Sequence, residues 1–230
     1  MTRSISAQSA FDLLATLLPP APSARSGIKV RVEHLSAAQL KAGAAPSCMS
    51  ASADARNIAR TARFSIVDGA ILPYSGGTAA LTDGRLASGD DEPAANFFFA
   101  PGPLEGRIRL DFAAPIPIER VITCSRHKSD RAPQVYKLYG SNGDSPRFES
   151  APKIGTDPAR RGWTLIAAVD TRPRSGPVGG QYAAEISAGG GLLGTYKHLL
   201  LCTFVTETND NWGHTFFSEL QVIRQPEARP

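Results

Sequence analysis

The chain has 230 residues and a formal net charge of +4, with its Lys and Arg scattered rather than gathered in a block. That spread offers no basic stripe for nucleic acid, and no apolar run reaches the length of a membrane span. With 21 Gly, 18 Pro and little helical periodicity past the N-terminus, the composition favours an all-β class rich in turns.

The first twenty residues, MTRSISAQSAFDLLATLLPP, carry one weak apolar stretch broken by Asp12 and no small-residue cleavage pattern. Within them AFDLLATLL predicts a short amphipathic helix stopped by Pro19 and Pro20. Residues 19–60 read as an interrupted spacer, because PPAPSARSG and AAPSCMSASADAR are small, polar and low in complexity. Between those stretches IKVRVEHL alternates apolar and charged residues and predicts one half-buried strand. One strand cannot stand alone, so it pairs either with the main body or with a protein partner of the arm.

The compact domain is placed at residues 62–224, after an arm of residues 1–61 and before a tail of residues 225–230. RFSIVDGAILPYSG supplies one or two short strands around an Asp68-Gly69 turn. LTDGRLASGDDEPAANFFFA is a polar loop ending in three Phe. GRIRLDF then alternates Ile108, Leu110 and Phe112 against Arg107, Arg109 and Asp111. IERVITCSRH and QVYKLYGSNGD follow, the second ending at an Asn-Gly turn. SPRFESAPKIGTDPARRG is an insertion-like loop. WTLIAAVDT, GGQYAAEIS, LGTYKHLLLCTFVTE and TFFSELQVI complete about eight strands, the count of a jelly roll.

Cys48, Cys124 and Cys202 have neither CxxC nor metal-ligand spacing. Cys124 and Cys202, both in apolar strand-like runs, read either as buried small hydrophobes or as a disulfide pair.

The ordered series LTDG, GRIRLDF, IERVITCSRH, RAPQVYKLYGSNGD, W-x-L-I-A-x-V-D and FFSELQV resembles the discoidin, or coagulation-factor type-C, family of galactose-binding-like domains. That family includes many bacterial carbohydrate-binding modules. The resemblance covers roughly residues 62–224, and LYGSNGD and SEL are its most specific parts. The chain departs from the family where Phe97-Phe98-Phe99 stands in place of a Trp soon after the DG turn. The resemblance implies an eight-stranded antiparallel jelly-roll β-sandwich preceded by an N-terminal arm. It also implies a carbohydrate ligand and a location that is secreted, periplasmic or at the cell surface.

Three groups of residues carry candidate chemistry. The loop with Asp83, Ser88, Asp90, Asp91 and Glu92 has the oxygen-rich character that Ca²⁺ wants. Family members hold a structural calcium between the DG-turn loop and a Glu of the last strand, which here implies Asp83 and Glu219, with Ser88 or Asp90 completing the shell. The plainer reading is a solvated acidic loop with Asp83 bonded to its own turn. The loop Ser125–Arg131 places Arg126, His127 and Arg131 after a strand, as donors for sugar hydroxyls or as a hydrated basic loop. The loop TNDNWGH offers Asn211, Trp212 and His214. Trp212 reads either as a stacking face for a pyranose or as a plug under its own loop. Trp163, opening a strand, reads as core.

No GxSxG, HExxH or P-loop is present, and the four His are dispersed. The sequence therefore predicts a non-catalytic carbohydrate-binding module. A structural or adhesive protein-interaction module, and then a jelly-roll enzyme, are the competing classes.

Overall fold

The structure is a computed structural model and describes residues 27–48, 54–207 and 212–226. The predicted helix at AFDLLATLL lies outside the described residues. The described residues form eight strands: β1 (Lys29–Leu35), β2 (Arg63–Asp68), β3 (Glu105–His127), β4 (Val135–Ser141), β5 (Thr164–Asp170), β6 (Gly180–Ser187), β7 (Gly194–Phe204) and β8 (Phe217–Arg224). All their pairings are antiparallel. A short helix α1 (Ala37–Lys41) follows β1 and is closed by a Ser36–Gln39 capping box.

The two layers share one strand. GRIRLDF and IERVITCSRH, read from sequence as two strands, are the halves of the 23-residue β3. Its first half pairs with β2 and β7, and its second half with β6 and β8. Between the halves the register with β7 slips from Asp111 to Ile116, across AAPIP. Pro115 and Pro117 have no N–H to give to a ladder, so this stretch can bend out of one layer and into the next. Layer one therefore runs β2-β3-β7-β4-β5 and layer two β1-β6-β3-β8. The strand total is the predicted one, although β1 enters the count and two predicted strands merge.

The core lies between the layers. Ile108, Leu110 and Phe112 of β3 meet Tyr136 and Leu138 of β4, Leu199 and Leu201 of β7, Ala184 and Ile186 of β6, and Leu220 and Val222 of β8. The ring of Phe99 lies over Gly106, where a Cβ would come within 2.3 Å of it, so no larger residue fits there.

The opposite face of GRIRLDF does not meet water, as plain alternation would have it. The insertion-like loop folds over it, and a second cluster of Tyr139, Trp163, Leu200, Cys202 and Phe204, with Phe148, fills the space below. Arg107 is buried there. It donates to the carbonyls of Pro152 and Thr156, both at 2.9 Å, and to the Glu105 carboxylate at 2.6 Å. Each nitrogen of the guanidinium thus gains an oxygen partner, as burial of a charge requires.

Cys124 and Cys202 do not pair. Cys202 belongs to the cluster outside layer one, while Cys124 packs with Cys48, Ile122, Ala183 and Ile223 outside layer two. All three thiols are free and buried, and burial pushes the Cys202 thiol up to about 12.

Candidate functional site

Period-two alternation builds the floor of the site. In FFF, Phe97 and Phe99 turn into the core, so Phe98 points the other way. In TFFSEL, Phe217 is a core residue and Phe216 points outward from it. The backbones of Phe97 and Phe217 exchange hydrogen bonds at 2.7 and 2.9 Å, which brings the two segments side by side. Phe98 and Phe216 then stack with ring centroids 4.2 Å apart.

A buried polar knot fixes the loop above that floor. Thr123 donates to Gln134 and contacts the Tyr136 hydroxyl at 2.9 Å. Gln134 donates to the Ser125 hydroxyl at 3.0 Å, and Ser125 donates to the Ala132 carbonyl. These bonds clamp both ends of residues 126–131. Further up, the Phe216 N–H donates to the Arg131 carbonyl at 3.0 Å.

Arg131 stands at the centre. Its guanidinium carbon lies 3.9 Å from the Phe216 ring centroid, 4.9 Å from Phe98 and 5.9 Å from Trp212, all within cation–π range. Its Nε donates to the His214 carbonyl at 3.1 Å. Trp212 is 40% exposed, and Tyr74, whose ring is 5.8 Å from Phe98, is 49% exposed. One accessible ring, Trp212, thus lies beside Arg131, and the other, Tyr74, lies beside Phe98 of the stack that Arg131 covers. Beside them Lys128 pairs with Asp91 at 2.7 Å, and that hydrogen bond is the main reason the Asp91 carboxyl is held below its usual range.

The other predicted ligand residues behave differently. Arg126 donates to the Ala87 carbonyl at 3.1 Å and to Asp90 at 3.0 Å, so it braces the 86–92 loop. His127 is buried. Its Nδ1 is bonded to Ser129, and its ring packs on Phe216 at 4.7 Å. Burial first, and then the Arg131 charge, lower its pKa. His214 is only 2% exposed, with Nε2 at 2.8 Å from the Pro103 carbonyl. Burial pushes its pKa down to about 4, so it is a neutral internal prop rather than a donor to a ligand. Asn211 lies outside the described residues.

Of the four predicted calcium residues, Glu219 meets the turn that carries Asp83, while Ser88 and Asp90 have other partners. Asp83 accepts from the Arg85 N–H at 2.8 Å within its own turn, Ser88 donates to Glu92 at 2.8 Å, and Asp90 is paired with Arg126. Ser88 is thereby tied within its own loop and Asp90 to β3. Glu219 is fully buried on β8 and accepts from the Gly84 N–H at 3.1 Å. A buried carboxylate facing the DG turn suits a hard cation. Among the described residues, no group of three or more His, Cys, Asp or Glu is placed to hold a metal.

Sequence reasoning missed Tyr74, Phe98 and Phe216. Tyr74 carried a usable signal, since an aromatic set between Pro73 and Ser75-Gly76-Gly77 falls in a turn rather than in a strand run. The two Phe residues become legible only through strand alternation.

No protein-family model and no curated protein matches the chain. Among solved structures it is similar to the two CBM32 domains and M60 catalytic domain of ZmpB from Clostridium perfringens. That match has 13% identity and a TM-score of 0.50, and covers 86% of this chain and 17% of that one. It is also similar to the CBM32-1 and CBM32-2 domains of ZmpB from the same organism in complex with GalNAc. There the identity is 12% and the TM-score 0.50, with 90% of this chain and 44% of that one covered. The chain thus spans well under two thirds of the length of either. At such identity the likeness establishes the fold alone, a β-sandwich shared with those CBM32 domains.

Proposed function

We propose that this chain is a non-catalytic carbohydrate-binding module whose ligand sits at the loop end between Tyr74, Trp212 and Arg131. The observation that carries the reading is the pair of exposed rings at the Phe98–Phe216 stack, Trp212 beside Arg131 and Tyr74 beside Phe98. A pyranose has an apolar face for an aromatic ring and hydroxyls around its rim for charged donors and acceptors. Trp212 and Tyr74 supply the faces. Arg131 and Lys128 donate, and Asp91 accepts. Arg126 and His127 hold the loops in place rather than touch the sugar. The fold supports this reading, since its structural neighbours are carbohydrate-binding modules, one of them in complex with GalNAc.

A sugar ligand fits a protein working outside the cytoplasm or on a surface. No helix among the described residues is long and apolar enough to cross a membrane. The reading includes one structural Ca²⁺ held by Glu219 and Asp83 with main-chain carbonyls of the same loop, closing the turn at Gly84. A chelator then lowers the melting temperature, and Asp83→Ala removes that sensitivity.

A glycan array followed by calorimetry, with and without Ca²⁺, tests the ligand. Affinity will be modest, because the site is open and few groups are fully desolvated. Trp212→Ala and Tyr74→Ala each abolish or strongly weaken binding while the fold persists. Binding that survives both substitutions would refute this placement.

A further inference from the structure

Layer two ends on β1, and the far edge of β1 pairs with no strand among the described residues. Val30 and Val32 lie opposite Ile186 and Ala184 of β6, both core residues, so they share the inward face of the sheet. Yet they are 39% and 45% exposed. His34, next on that face, stacks on Tyr182 at 4.1 Å. The core surface thus continues past the last covered strand into solvent, beside a row of main-chain donors and acceptors. Such an edge is a template for strand addition.

We propose that β1 of a second copy occupies this edge, running antiparallel about a two-fold axis at Val32. Two considerations select the partner and the register. A two-fold axis that continues the sheet must pair residues of the same face, so it passes through a residue rather than between two. An axis at Arg31 or at Glu33 sets like charges against each other. An axis at Val32 sets Arg31 opposite Glu33 twice, Val32 against Val32, and Val30 opposite His34. The strand KVRVEHL is therefore complementary in charge to itself reversed. Arg31 has no ion-pair partner among the described residues. Glu33 accepts from the Ser47 N–H at 3.0 Å, which anchors its carboxylate, and a carboxylate has capacity for further donors. In the assembly layer two becomes continuous, β8-β3-β6-β1-β1-β6-β3-β8, and the exposed valines of each copy lie beside those of the other.

This inference stands apart from the sugar reading, since β1 contributes nothing to the Tyr74–Trp212 site. Sedimentation at micromolar concentration gives the mass of two chains. Arg31→Glu shifts it to one chain, and Arg31→Glu with Glu33→Arg restores two. Val32→Lys gives one chain with an unchanged circular dichroism spectrum. Val32→Cys cross-links to a dimer on a non-reducing gel after oxidised glutathione, since the axis places the two thiols face to face. A single-chain mass for the wild type throughout that range overturns the proposal. So does a dimer indifferent to Arg31→Glu and Val32→Lys, or a Val32→Cys variant that stays uncross-linked.

Discussion

The two tryptophans sit in regions built from the same materials to opposite ends. Trp163 lies under the 145–163 loop, 3% exposed, with its indole N–H donating to the Glu149 carbonyl at 2.8 Å. Nearby, Arg107 is fully occupied by two carbonyls and a carboxylate. Trp212 lies at the loop end beside Arg131, whose guanidinium rests on ring faces. At the loop end the tryptophan and the arginine are in contact, whereas under the 145–163 loop each donates to a carbonyl of the covering segment. Where a covering loop brings carbonyls, the pair becomes structure. Where the neighbours are π-faces, Trp212 keeps 40% of its surface exposed, and the proposed ligand site rests on that exposure.

The largest effect that would sharpen this contrast comes from Trp163→Ala. It removes a buried ring from beneath the loop and costs about 3–5 kcal/mol, readable as a shift in the denaturant midpoint. A cost near that of a surface substitution would break the comparison.

His214 gives a pH signature to the buried side of the loop end. Its folded pKa, about 4, lies below the ordinary 6.5. The unfolded chain therefore takes up this proton before the folded one does. The contribution is fully present above the ordinary value and is lost as pH falls from 6.5 towards 4. At 1.36 kcal/mol per unit it amounts to roughly 3 kcal/mol. His127, also lowered, acts in the same sense. Melting curves across that range should show His214→Gln with a flatter dependence than wild type. An equally steep decline in the variant would show that His214 is not the group responsible.

Arg107→Met leaves the Pro152 and Thr156 carbonyls without their donor, and should cost roughly 2 kcal/mol and loosen the 151–157 segment first. Hydrogen exchange in that segment reads this directly. Uniform protection would contradict the account of Arg107 as the loop's fastener.

The smallest stability effect belongs to Trp212→Ala, within about 1 kcal/mol of wild type. If that substitution unfolds the domain, Trp212 is a plug like Trp163 and the contrast between the regions collapses.

Local sequence was enough for the all-β class and for the core residues of GRIRLDF. These depend on neighbours one to four places away, and period-two alternation is such a property. It could not tell which polar residues of the loops remain available. His214 is claimed by Pro103, 111 positions away, and Arg126 by Asp90, 36 positions away. Nor could it show that the polar face of GRIRLDF is roofed by the 145–163 loop, or that Cys124 and Cys202 lie outside different layers. Tyr74, Trp212 and Arg131 come together only because the strands carrying Phe98 and Phe216 pair. A site residue's availability is decided by the desolvation and hydrogen bonding of partners distant along the chain, and only the tertiary structure brings those partners to it.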